Sequence, residues 1–343
     1  MKAHLKLSNN TDIYWTTKKC DSYNCFLNII VGGRGIGKTT SCLIKGITRY
    51  INFGEQFIYL RRYKGELKEF IDKKKLNKIC DNIRYLGDGN DGWKFLIDNE
   101  EIGYGCLLSK ADTYKGADFE KVSTIIFDEG VIEKGNNIRY LSNEVNALLN
   151  FISTIQRTRT NLKVYILGNN LDLFCPLIRY WNIPVGKKLY VDTERSIYYC
   201  EEKASDKLRE LESKTPLFKL TSGTSFGDYH YENKLISNTK ADIGDKPETA
   251  SLIMRLVIEN NTLNMYSVYY DGIMWLYFER KERKIIDKYS KVITENGSYN
   301  YYYIDDLKRN FLKMWWYFWY HNKCKFNCDL AHSMADSVLE LLA

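Results

Sequence analysis

Gly32-Gly33-Arg34-Gly35-Ile36-Gly37-Lys38-Thr39 fits G-x-x-x-x-G-K-[ST], a phosphate-binding loop. Ahead of it, Phe26-Leu27-Asn28-Ile29-Ile30-Val31 reads as a buried strand. Behind it, from Thr40 to about Tyr50, Cys42, Leu43 and Ile47 recur at helical spacing. Strand, glycine loop and helix form the context such a loop needs. The glycines let main-chain N–H groups turn inward around phosphate oxygens, and the helix start adds partial positive charge. In that setting Lys38 reaches the β- and γ-phosphates of ATP, and the Thr39 hydroxyl binds Mg²⁺.

Working outward, Val122-Ser123-Thr124-Ile125-Ile126-Phe127 is an apolar strand that runs into Asp128-Glu129. Acids at a strand's C-terminal tip stand where open α/β sheets hold ligands. Downstream of a phosphate loop they form the Walker B pattern, with Asp128 holding the Mg²⁺ shell and Glu129 polarising the attacking water. A helix from about Asn143 to Ile155 delivers Arg157 and Arg159, and the next strand, Val164–Leu167, ends at Gly168-Asn169-Asn170. Asn169 there either senses the γ-phosphate, orients water, or merely turns the chain. A further strand, Phe57–Arg61, ends in the basic tip Arg61-Arg62-Tyr63-Lys64, and Trp93–Asp98 and Gly103–Ser109 read as two more.

Past Lys187 the alternation of strand and helix stops. Short strands (Lys188–Val191, Ser196–Cys200), a charged helix (Ser205–Ser213) and the polar stretch Thr221–Asp228 lead into an antiparallel meander, Leu263–Tyr270, Ile273–Arg280 and Arg283–Lys288. Asp271-Gly272 is a type I′ hairpin turn. Helices from about Ile304 to Tyr320 and Cys328 to Leu342 close the chain. The expected division is an ATPase domain over 1–200, a linker over 201–245 and a smaller α+β domain over 246–343.

The 343 residues suffice for two cores, and the net charge of +7 permits a polyanion partner without requiring one. Met1–Asn10 lacks the apolar core of a signal peptide, and the aromatic run Met314–Tyr320 is far too short to span a bilayer, so no membrane role is expected. Nine scattered cysteines without C-x-x-C point to a reduced, cytoplasmic setting. His321, Cys324, Cys328 and His332 are spaced H-x₂-C-x₃-C-x₃-H, which would pass for a zinc site. The spacing is not that of a standard finger, and we expect the cysteines to pack as small hydrophobes instead.

Residues 26–40, 55–67, 104–129 and 143–170 resemble the DNA-encapsidation ATPases of small short-tailed phages with protein-primed linear genomes, the phi-twenty-nine type. Beyond the phosphate loop and Val122–Glu129, the runs that carry the resemblance are Gly54-Glu55-Gln56-Phe57-Ile58-Tyr59-Leu60-Arg61-Arg62-Tyr63-Lys64 and Asn143-Glu144-Val145-Asn146-Ala147-Leu148-Leu149-Asn150. It implies an α/β P-loop fold of the additional-strand, conserved-glutamate (ASCE) type, followed by a ribonuclease-H-like remnant that does not cut. It also implies a homopentameric ring on the phage portal or connector, driving double-stranded DNA into a prohead. Such a protein works in the host cytoplasm on assembling proheads and is absent from the mature virion. Whether a packaging RNA joins the motor stays open.

Position by position, the resemblance makes Glu129 the catalytic carboxylate, Asn169 the coupling residue and Arg157 an arginine finger offered to the neighbouring subunit, with Arg159 the fallback. Lys64 matches a second cation acting across that interface, and Arg34 sits where related motors also carry an arginine. DNA contacts of a translocating motor must be phosphate-directed and sequence-blind. The loop Glu133–Arg139 follows the catalytic acid, which makes Lys134 and Arg139 the candidate contacts. Two rivals remain: a terminase-like enzyme with an active nuclease, and a nucleotide-responsive assembly or adaptor protein.

Overall fold

A computed structural model describes residues 5–6, 12–87, 92–132, 138–141, 143–169, 175–183, 188–224, 227, 242–295 and 298–342. In chain order the elements are α1 (Lys18–Ser22), β1 (Leu27–Gly32), α2 (Lys38–Phe53), β2 (Gln56–Arg61), α3 (Lys64–Asp72), β3 (Arg84–Leu86), β4 (Trp93–Ile97), β5 (Glu100–Leu107), β6 (Val122–Val131), α4 (Glu144–Gln156) and β7 (Lys163–Gly168). Then come α5 (Pro176–Tyr180), β8 (Leu189–Asp192), β9 (Ile197–Glu202), α6 (Asp206–Ser213) and α7 (Pro216–Thr221). The rest is β10 (Asp242–Ile243), β11 (Ser251–Ile258), β12 (Asn261–Tyr270), β13 (Ile273–Lys281), β14 (Ser290–Glu295), β15 (Ser298–Tyr299), α8 (Tyr301–Asn310), α9 (Leu312–Tyr320), β16 (Cys324–Phe326) and α10 (Asp329–Leu342). The chain divides into two compact units, Met1–Asp172 with Lys187–Asn233, and Leu173–Gly186 with Lys234–Ala343. The stretch 201–245, expected to be a linker, carries α6 and α7 in its described part, each capped by a hydroxyl, Ser205 and Thr215.

The first unit is a nine-stranded sheet in the order β3-β4-β5-β2-β6-β7-β1-β9-β8. From β5 to β9 neighbouring strands pair parallel, and the edges are antiparallel. Parallel strands need both faces covered, and β1 and β2 are accordingly buried along their whole length. Strand β7 lies between β1 and β6, so the phosphate loop and Asp128 rise from strands one apart. Helix α2 packs its buried face, including Cys42, Leu43 and Ile47, on one side of the sheet. Its C-terminal cap is Gly54 at φ 69°, whose N–H returns to the Tyr50 carbonyl.

In the second unit the seven-stranded sheet runs β10-β16-β13-β12-β11-β14-β15. The hairpin β12–β13 turns through Asp271 and Gly272, both at positive φ, as a type I′ turn requires. The expected third meander strand, Arg283–Lys288, is not a strand. Asp287 instead accepts from the Tyr289 and Ser290 side of a tight turn, and the strand that follows, β14, pairs parallel with β11. The expected helix Ile304–Tyr320 breaks at Phe311 into α8 and α9. Each piece turns its own apolar face inward, Ile304 and Leu307 from one, Trp315 and Phe318 from the other. From α10, Met334, Val338 and Leu342 complete this core.

Candidate nucleotide-hydrolysis site

The phosphate loop owes its shape to two glycines that no other residue replaces. A Cβ on Gly32 would lie 2.3 Å from the Glu202 carbonyl oxygen, and Gly37, which caps α2, sits at φ 99°. Lys38 is 5 % exposed and curls back over the loop, its ammonium donating to the carbonyls of Gly32 (2.7 Å) and Gly33 (2.8 Å). Arg34 stands exposed on the loop, and Ile36 is buried beneath it. The segment before α1 braces the loop: the Trp15 N–H donates to the Ile36 carbonyl, and the Thr17 N–H to the Ser41 hydroxyl. Tyr14 packs its Cβ near Gly37, while Tyr23 lies against Tyr198 of β9.

At the tip of β6 the Thr39 hydroxyl donates to Asp128 Oδ1 at 2.9 Å, which brings the two expected Mg²⁺ ligands onto one point. A hydroxyl and a carboxylate are hard oxygen donors, the set that Mg²⁺ accepts alongside waters and phosphate oxygens. The other oxygen, Oδ2, is held by the Tyr59 phenol (2.7 Å) and the Arg61 guanidinium (3.3 Å). Arg61 also donates to Glu129 Oε2 at 2.8 Å and reaches Glu66 at 3.4 Å. Burial pushes the Tyr59 phenol far above its ordinary range, with the Asp128 charge adding to it, so Tyr59 is a fixed donor. Burial alone would lower Arg61, but the surrounding phenol and carboxylates more than offset that and keep it charged.

Glu129 adopts φ 56°, where a non-glycine residue is strained, at a register break between β6 and β7. The neighbouring Arg62 is fully buried and forms a two-pronged ion pair with Glu144 at the start of α4. None of Tyr59, Arg61, Arg62, Glu66 or Glu144 was assigned a role from sequence. The available signal was a pair of arginines ending an apolar strand, at a sheet edge that binds ligands.

Asn169 is half-buried just past the end of β7, the strand between β1, which leads into the phosphate loop, and β6, which carries Asp128. Lys64 is exposed at the first position of α3, just beyond the β2 tip. Arg157 lies elsewhere. It follows α4 at the opposite edge of the sheet, where Arg159 donates to the carbonyls of Glu120 and Val122 at the beginning of β6. The length of β6 then separates it from Asp128, about 20 Å at the rise of a strand. The two arginines differ sharply: Arg159 is locked onto main-chain carbonyls, including that of Ile155, whereas Arg157 is exposed and makes no side-chain hydrogen bond among the described residues. Arg159 is thus engaged within its own chain.

Lys134 lies outside the described residues. Arg139 is exposed, and its carbonyl accepts from the Tyr63 phenol. The proposed zinc ligands do not converge: among the described residues no three His, Cys, Asp or Glu side chains group as a metal would need. Cys324 is buried in the core, which raises its thiol, and His332 stacks on Trp319 with ring centres 5.1 Å apart.

A phosphate loop between strand and helix, with two successive acids on a strand one removed from it, defines a P-loop nucleotide-binding fold. The model of the podovirus DNA encapsidation protein (Gp16) family matches residues 9–319, and the chain belongs to that family. It is similar to the DNA packaging protein of Bacillus phage phi29, 30% identical over 269 residues, 77% of this chain and 78% of that protein. The Bacillus phage B103 DNA packaging protein is 31% identical over 248 residues, covering 71% and 75%. Among solved structures, the bacteriophage phi29 viral genome packaging motor assembly shares the fold with TM-score 0.60, at 22% identity over 96% of this chain and 100% of that one. The phi28 gp11 DNA packaging motor gives TM-score 0.53 at 18% identity, over 96% and 98%.

Proposed function

We propose that the chain is the ATPase of a viral packaging motor, coupling ATP hydrolysis to translocation of double-stranded DNA into a prohead. The observation that carries it is the convergence of Lys38, Thr39, Asp128 and Glu129 at neighbouring strand tips, in a chain related to DNA packaging proteins. The position of β7 between β1 and β6 supports the additional-strand, conserved-glutamate class. Mg²⁺, held by Thr39 and Asp128, would neutralise charge between the β- and γ-phosphates. Lys38 binds β- and γ-phosphate oxygens, and Glu129 takes the proton of the water that attacks the γ-phosphorus as its bond to the β–γ bridging oxygen breaks, releasing ADP and phosphate. Since Arg61 holds that carboxylate at 2.8 Å, turnover requires Glu129 to exchange the guanidinium for water. Asn169, between the two tips, reads the presence of the γ-phosphate.

Arg157 acts on the neighbouring subunit's nucleotide. Its place at the far edge of the sheet, away from its own Asp128, supports a target in the next subunit and suits a homopentameric ring in which each subunit completes the next. Lys64 serves the same interface from the β2 tip, and Arg139 with Lys134 contacts DNA phosphates. The ring sits on the portal, in the host cytoplasm, with or without a packaging RNA. The strand order β13-β12-β11-β14, with β14 parallel to β11, supports a ribonuclease-H-like second domain. We infer no cutting by it, because Glu279 is engaged by Lys281 and Asp287 by Arg255.

The test measures ATP turnover with and without duplex DNA and portal-bearing proheads, and ATP-dependent protection of DNA from added nuclease. Stimulation and protection together are expected. Turnover indifferent to DNA and proheads would favour an adaptor, and Mg²⁺- or Mn²⁺-dependent cutting would favour a terminase.

A further inference from the structure

Arg62 is as buried as any side chain in the molecule, yet its bonds run away from Thr39 and Asp128. Its Nε and Nη2 donate to the Glu144 carboxylate at 2.7 and 2.6 Å. Its Nη1 donates to the Glu129 carbonyl at 3.0 Å, and Nη2 also to the Gly130 carbonyl at 3.1 Å. The rings of Phe127 and Tyr140 flank the guanidinium at 5.3 and 5.2 Å. Glu144 in turn accepts the Leu141 N–H at 2.9 Å and opens α4, so the pair is anchored outside the β6 tip. Burial would lower Arg62, but the hydrogen bonds and charge of Glu144 more than compensate, and it stays charged.

A buried ion pair is weak evidence for stability, since apolar side chains of similar volume serve as well or better. The geometry here does something apolar residues do not. One guanidinium ties two successive carbonyls at the point where Glu129 holds a strained left-handed conformation. That conformation sets the direction in which the Glu129 carboxylate leaves the strand. We propose that Arg62 and Glu144 are positioning residues: they never touch nucleotide, and they hold the main chain of Glu129 in the aim that turnover needs. The proposal rests on Glu129 being the catalytic acid, and its test separates the two.

The decisive variant is the double substitution Arg62→Met with Glu144→Leu, in the full chain assayed with proheads and DNA. A merely structural pair predicts that this variant melts like the parent and turns over like it. A positioning pair predicts parental melting and parental affinity for a fluorescent ATP analogue, with kcat down about a hundredfold, the cost of a misplaced reacting group. Parental kcat in the folded double variant overturns the proposal. Should that variant not fold, Glu144→Gln and Arg62→Lys decide it. A fall in kcat with nucleotide affinity kept supports the proposal, while unchanged kcat, or kcat and affinity falling together, overturns it. Glu129→Gln is run alongside: if it keeps parental turnover, the assignment of the catalytic acid has failed instead, whatever Arg62 does.

Discussion

Both sheets of this chain bring carboxylates together with arginine or lysine, but among the described residues only the first gathers acids at a single point. In the first unit two successive residues, Asp128 and Glu129, share one arginine, Arg61, and meet Thr39 and Tyr59 at a strand tip. In the second, Glu279 on β13 pairs with Lys281, and Asp287 in a turn pairs with Arg255, so each acid is neutralised locally. The difference comes from topology. Parallel strands end together at one edge, where loops leave the tips open to a ligand. In a hairpin such as β12–β13 neighbouring strands end at opposite edges, which scatters their terminal residues.

The sharpest way to break that contrast is to exchange one acid in each sheet. Glu129→Gln, which keeps the shape and removes the base, is expected to lower prohead-stimulated turnover by about 10⁴-fold, the upper range for a general base. Glu279→Gln should leave turnover where it was. Equal losses from the two would show that the second sheet also carries chemistry.

A second pair sharpens it within the first unit. Arg157→Ala should lower turnover about 10³-fold, the lower range for an arginine finger, with no change in melting. In mixed assemblies it should restore activity to a Lys38→Ala protein, each chain supplying what the other lacks. Failure of the mixture to exceed either variant alone would remove the trans assignment. Arg159→Ala should do the reverse. It loses charge-assisted bonds to main-chain carbonyls at the start of β6, so a loss of about 2 kcal/mol in urea unfolding is expected.

How much of this was legible beforehand follows the same division. Gly32–Thr39 and Asp128-Glu129 could be read because local sequence dictates them: a loop forced by glycines, and an apolar run that gives way to two acids. Strand and helix alternation placed β1, β2 and β7 to within a residue, and the start of β6, since fully buried parallel strands are long apolar runs, but β6 runs four residues further than its apolar run, to Val131. The partners of the acids were not legible. Tyr59 looks like any aromatic in a strand until the order of the sheet sets β2 beside β6. Glu144 meets Arg62 across 82 positions of chain, and spacing alone does not encode that. In the second unit, Arg283–Lys288 has strand-like composition, but the Asp287 side chain accepts from the Tyr289 N–H and the Ser290 hydroxyl and turns the chain instead. His321, Cys324, Cys328 and His332 have metal-like spacing in sequence, and stacking on Trp319 takes the last of them elsewhere.

The smallest expected effect concerns what the second sheet's acids do. Glu279 accepts from Lys281 (2.6 Å), Asn264 (3.1 Å) and Tyr266 (2.9 Å). Burial alone would raise its carboxyl, but these bonds outweigh it and hold the group below the usual carboxylate range. A depressed native value means the fold prefers the charged form. The stabilisation is therefore complete above the unfolded value, near pH 4.3, and drains away as pH falls through the lower native one. Since the group is partly open to water, its worth at pH 7 is under about 1 kcal/mol. Urea unfolding should show Glu279→Gln less stable than the parent at neutral pH, with the gap closing as pH falls below the ordinary carboxylate range and the parent carboxyl takes up its proton. A gap of constant size across that range would mean that Glu279 stabilises by packing rather than by charge, and the second sheet's acids would then differ from those of the first in kind as well as in place.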